Sequence, residues 1–78
     1  MALKDLIVVI ARALVDDPDS VEVNEIHGDH NSVLELKVAK NDIGKVIGKD
    51  GRTAQSIRTI LAAASTKAGR RAHLDIVD

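Results

Sequence analysis

Two glycines three residues apart, Gly48 and Gly51, stand between two stretches of helical apolar spacing, with Val46-Ile47 before them and Arg52 after. A glycine pair at such a junction lets the backbone turn sharply and come close to another backbone. Glycine reaches positive φ freely and leaves no Cβ in the way of a bound polymer. Lys49 and Arg52 put charge on both sides of that bare backbone. The N–H groups that open the following helix carry a partial positive charge and are expected to point outward. Donors, dipole and cations therefore converge where a phosphodiester could be held. The loop Gly48-Lys49-Asp50-Gly51 reads as a clamp for a nucleic-acid backbone.

Charge along the chain supports this reading although its sum does not. The net charge is −1, which by itself argues against a nucleic-acid binder. Residues 1–36 hold two cations and eight acids, whereas residues 37–71 hold nine cations, including Lys45, Lys49, Arg52 and Arg58, and only two acids. A strong local field thus survives inside a near-neutral total. A basic run is often no more than a solvated face, and it is the glycine pair at the centre of this one that favours a binding role.

With 78 residues the chain is expected to form one domain over 1–78, burying roughly 60–65% of its unfolded surface. There is no cysteine, hence no disulfide framework and no thiolate metal site. The apolar run at residues 6–11 is too short to span a bilayer and is not flanked as a signal peptide would be. A reduced, cytoplasmic setting without membrane attachment follows as the expectation. The sequence also lacks Phe, Tyr and Trp, which removes single-strand binders that depend on stacking platforms. It predicts modest affinity and loose sequence preference.

Periodicity divides the chain into six elements. Leu3, Leu6, Ile7, Ile10 and Leu14 follow helical spacing, and Asp16-Asp17-Pro18 should end that helix. Val21 and Val23 alternate with polar residues until the phase slips at Ile26; a polar turn at residues 27–31 leads into a second strand through Leu34, Leu36 and Val38. Asn41 is the expected N-cap of a short helix over 42–47 that closes at Gly48. From Arg52, the positions Ala54, Ile57, Ile60, Leu61, Ala64 and Ala68 form an apolar stripe that stops at Gly69. Ala72, Leu74 and Ile76 mark a last strand. The class is α+β in the order α-β-β-α-α-β, with three helices covering one face of a three-stranded sheet.

This order, together with Val46-Ile47-Gly48-Lys49-Asp50-Gly51-Arg52 and the later Ile57, resembles the KH domain in its type II topology. The match runs essentially from Leu3 to Asp78, with Val33-Leu34-Glu35-Leu36 before the loop and Arg58-Thr59 after it, and is similar to the stand-alone bacterial KhpA family. The KH loop is known as a clamp on four nucleotides. The resemblance implies a protein without catalysis that binds single-stranded RNA, as a chaperone or post-transcriptional regulator linked to cell shape and division. Carried over, Gly48, Lys49, Asp50 and Gly51 are the clamp, Lys45 and Arg52 its electrostatic flanks, and Ile47, Ile57 and Val38 groove wall or the core beneath it. The family also implies a homodimer, or a heterodimer with a Jag-type KH protein (KhpB). The other reading kept open is a protein-interaction module in which RNA contact is secondary. Asp50 departs from what phosphate would favour; it either faces solvent or holds the turn through a hydrogen bond, and it should lower affinity.

Other chemistries find less support. The glycine spacing fits neither a P-loop nor a dinucleotide fingerprint. His27 and His30 flank Asp29 without a third ligand nearby, so a solvent-exposed turn is favoured over a metal site. No serine has a sequence-level partner resembling a nucleophile–base pair. No cofactor is expected. Ala62-Ala63-Ala64 should pack on the sheet, with part of it open to a dimer contact.

Overall fold

A computed structural model describes residues 2–77; Met1 and Asp78, the last residue of the expected domain and of the resemblance, lie outside the described residues. Helix α1 spans Leu3–Leu14. Strands β1 (Glu22–His27) and β2 (Asn31–Lys37) follow as a hairpin. Helix α2 (Ile43–Ile47) leads through the loop into α3 (Arg52–Ala68), and β3 (Arg71–Val77) returns to the sheet. The strand order is β1-β2-β3, with β2 antiparallel to β1 and parallel to β3. This is the expected α-β-β-α-α-β order.

Alternation on the strands decides which face the helices cover. Val23, Leu34, Leu36 and Leu74 turn inward and meet Ile7, Ala11, Val46, Ile57 and Leu61. With no aromatic ring to fill it, this core is built of aliphatic side chains and alanine. The opposite face of the sheet carries Asn24, Glu35, Lys37, His73 and Asp75 and has no helix over it among the described residues.

Pairing of β1 with β2 continues without interruption from Glu22↔Lys37 to His27↔Ser32. Ile26 lies on the uncovered face, 51% exposed, rather than in the core. The inward positions on either side of it go to Glu25 and His27, because a cation has to be met there. Arg70 Nη2 lies 3.5 Å from Glu25 Oε2, donates to His27 Nδ1 at 2.9 Å and donates to the buried Ser32 Oγ. The apparent slip in the sequence is this polar staple at the end of the sheet.

Two expectations need correction, the cap of α2 and the stripe of α3. Asn41 is not an N-cap: it sits inside a 3-10 turn, Lys40–Asp42, and neither that turn nor α2 has a side-chain cap. Helix α1 ends at Leu14, just ahead of Asp16-Asp17-Pro18 as expected, with Val15 extended at φ −93°, ψ 160°. The backbone N–H groups of Asp16 and Asp17 donate to the carboxylate of Asp42, at 3.2 and 3.0 Å. On α3 the inward stripe is Ala54, Ile57, Leu61 and Ser65, while Ile60, Ala62, Ala63 and Ala68 are exposed and Ala64 is half-buried. Ser65 tolerates burial because its hydroxyl donates to the Ala62 carbonyl, a bond that alanine at this position would not need. Gly69, at φ 76°, closes α3 with Gly69 N–H to Thr66 O and Arg70 N–H to Ser65 O, both at 3.1 Å.

The stripe correction has a measurable consequence. Leu61 is 1% exposed and Ile60 48%. Leu61→Ala should cost about 2–5 kcal/mol in denaturant unfolding. Ile60→Ala should cost less than about 1 kcal/mol. Equal losses would place Ile60 in the core and contradict the packing.

Candidate nucleic-acid interface

The loop owes its shape to three departures from ordinary backbone within four residues. Gly48 closes α2 at φ 77°, ψ 171°, a region open essentially to glycine alone. A Cβ there would fall 2.7 Å from Thr53 Cβ and 2.9 Å from Thr53 N, so the start of α3 packs directly on the glycine backbone. Asp50 follows at φ 57°, ψ 24°, and Gly51 at φ 73°, ψ 13°. Asp is among the few non-glycine residues that visit the left-handed region readily. Asp50 is exposed and makes no side-chain hydrogen bond among the described residues. Of the two places open to it, solvent is the one it takes, and its conformation accounts for its presence.

Two of the N–H groups expected to face outward are used inside the turn. Gly51 N–H donates to Gly48 O at 3.1 Å, and Arg52 N–H donates to Lys49 O. What the loop presents outward is charge: Lys49 and Arg52 are exposed and in no ion pair among the described residues. Behind them α3 runs for 17 residues, and the positive end of its macrodipole lies at the loop.

The structure separates the other residues singled out in the sequence. Ile47 is partly exposed beside the loop, whereas Ile57 and Val38 are buried and belong to the core. Lys45 points its Nζ to Asp16 Oδ2 at 3.3 Å and to Asp42 Oδ1 at 3.9 Å. His27 is engaged by Arg70. No group of three or more metal-ligating side chains occurs among the described residues.

A groove of roughly 380 Å³ lies between α3 and the edge strand β3. Leu61, Ala62 and Leu74 give it an apolar floor, and Arg58, Arg71 and His73 line it as well. Arg58 sits about 9 Å along α3 from Arg52 at 1.5 Å per residue. The loop and the groove thus follow one helix. Sequence reasoning missed Arg71 and His73 as lining residues and named Arg58 only as a cation of the basic half and a part of the family match. Their separation in the chain hides the relation, which depends on β3 being the strand beside α3.

A three-stranded sheet with three helices on one face, and a two-glycine loop joining two of them, defines a KH domain of type II topology. The chain belongs to the KhpA/KhpB KH-domain family, whose model matches residues 4–76. It is 56% identical over 73 residues to the RNA-binding protein KhpA of Caldanaerobacter subterraneus subsp. tengcongensis, covering 94% of this chain and 97% of that protein. It is 49% identical over 75 residues to the RNA-binding protein KhpA of Clostridium acetobutylicum, covering 96% of this chain and all of that one, 100%. Among solved structures, Era in complex with MgGDPNP and nucleotides 1506–1542 of 16S ribosomal RNA matches with a TM-score of 0.65 and 22% identity. That likeness covers 95% of this chain and 28% of the Era chain, and it is one of fold.

The two glycines differ in what holds them. Gly48→Ala meets Thr53 and a glycine-only conformation, and should cost about 3 kcal/mol or more. Gly51→Ala has nothing within 4 Å of the new Cβ and should cost about 1 kcal/mol for the left-handed backbone alone. Chemical denaturation of both variants checks this, and a Gly51→Ala loss as large as that of Gly48→Ala would contradict the geometry.

Proposed function

We propose that this chain binds single-stranded RNA without catalysis, holding the sugar-phosphate backbone at Gly48, Lys49, Asp50 and Gly51. Arg52 flanks the clamp and Ile47 borders it. One observation carries the reading most: a loop in glycine-dependent conformation bears two exposed cations, Lys49 and Arg52, that are in no ion pair among the described residues, at the N-terminal end of the helix that lines the α3–β3 groove. Membership of a family whose relatives are named RNA-binding proteins supports it. Bases would lie over the Leu61, Ala62 and Leu74 floor, with Arg58 and Arg71 in reach of further phosphates. The absence of aromatic residues leaves aliphatic contact and backbone grip as the source of affinity, which fits a chaperone or post-transcriptional regulator with broad targets.

A single clamp of this kind holds RNA weakly, and two linked clamps raise apparent affinity through effective concentration. We therefore place the chain in a homodimer or in a heterodimer with a Jag-type KH protein (KhpB), acting in the cytoplasm on RNAs that bear on cell shape and division. The described residues contain no helix long and apolar enough to cross a membrane.

Lys49→Asp tests the clamp. It replaces a cation by an anion beside Asp50, where each contact-distance charge term is on the order of 1 kcal/mol in a high-dielectric setting. Affinity for a short single-stranded RNA should fall at least about tenfold. Stability should move by less than about 0.5 kcal/mol, because the side chain is exposed. Parent-like RNA affinity in the folded variant would make the loop a structural turn. For the parent protein, two to four neutralised phosphates predict a log–log salt slope of about −1.4 to −2.8, and equal affinity for double-stranded RNA would contradict the groove.

A further inference from the structure

The cations of the basic half divide into free ones and ones already engaged. Lys49, Arg52, Arg58 and Arg71 make no ion pair among the described residues, whereas Lys45 is shared between Asp16 and Asp42. Asp42 is unusual in its own right. It is 1% exposed, the one charged side chain in the interior among the described residues. Its two carboxylate oxygens accept the N–H groups of Asp16 and Asp17, 26 and 25 residues earlier in the chain. Lys45, one helical turn on, supplies the counter-charge.

These bonds act on the element that carries the loop. Helix α2 has five residues, too few for its own hydrogen bonds to set its direction. It is held at Val46, fully buried in the core, and at Asp42, immediately before its first residue. Gly48 follows its last residue, so any tilt of α2 displaces the loop. A binding site keeps its geometry only as well as the groups behind it are held. For Lys45 to leave for a phosphate it would have to give up its ion pairs with Asp16 and Asp42, leaving the buried carboxylate with its two N–H donors but without a counter-charge, which is unfavourable.

Resting on the RNA-binding reading above, we propose that Asp42 and Lys45 are positioning residues for the clamp. They fasten the start of α2 to the turn after α1, and Lys45 makes no phosphate contact. The turn between α1 and β1 is thereby coupled to RNA affinity although it lies outside the groove.

Lys45→Met, Asp42→Asn and Lys49→Met, compared with the parent, separate these roles. Affinity for one short single-stranded RNA is measured across a salt series, at a temperature where circular dichroism shows each variant folded, together with thermal unfolding. Lys49→Met should lose about 0.7 of log–log slope, the value for one phosphate on a single strand. Lys45→Met and Asp42→Asn should keep the parent slope, bind at least about threefold more weakly and unfold at lower temperature. Asparagine cannot offer two acceptor oxygens to the Asp16 and Asp17 N–H groups. If Asp42→Asn does not fold, Lys45→Met decides alone, since its side chain is 42% exposed. A slope loss in Lys45→Met equal to that in Lys49→Met would make Lys45 a phosphate ligand and overturn the proposal. So would a lowered unfolding temperature with unchanged affinity, which would leave the staple a matter of stability alone. A parent-like slope in Lys49→Met would instead remove the loop as the phosphate site, and the positioning role with it.

Discussion

Parallel pairing of β2 with β3 is the constraint on which the site depends. Two parallel neighbours cannot be joined by a tight turn, so the chain must travel back the length of the sheet before β3 begins. That return path is α2, the loop and α3, packed on the helix-covered face through Val46, Ile57 and Leu61. Because α3 settles beside the edge strand, its C-terminal half and β3 bound the groove, and its N-terminal end carries the clamp. The connection that a parallel sheet requires is here the part that carries the glycine loop and its exposed cations.

Two helices and a sharp turn would not by themselves orient a backbone-binding loop. Gly48 lets Thr53 approach so closely that no side chain could stand between them, and the left-handed pair Asp50 and Gly51 reverses the chain into α3. The loop therefore behaves as a short rigid corner. Its charge lies on the exposed side chains of Lys49 and Arg52, which separates the groups that shape the loop from those that give it charge.

Polar side chains do comparable work at two edges of the fold. Arg70 gathers Glu25, His27 and Ser32 where the hairpin meets the end of α3. Asp42 gathers the turn after α1 where β2 gives way to α2. In a small aliphatic core, directional bonds of this kind specify register and approach that apolar contacts alone leave loose. The first explains a departure from simple patterning, the outward Ile26.

Much was legible in the residues themselves. Alternation at Leu34, Leu36 and Leu74 and helical spacing in α1 reflect burial on one face, a property each element carries locally. The Gly48–Gly51 pair states its backbone requirement wherever it occurs, and with Lys49 and Arg52 it marks the clamp. What the sequence could not show was who meets whom. Arg58 and Arg71 line one groove because the parallel crossover lays β3 beside α3, and Asp42 and Lys45 reach back to Asp16 because the antiparallel hairpin returns the chain to the end of α1. Periodicity records which face of an element is buried, whereas ion pairs, grooves and staples depend on the neighbour it is buried against, and that is decided by tertiary packing.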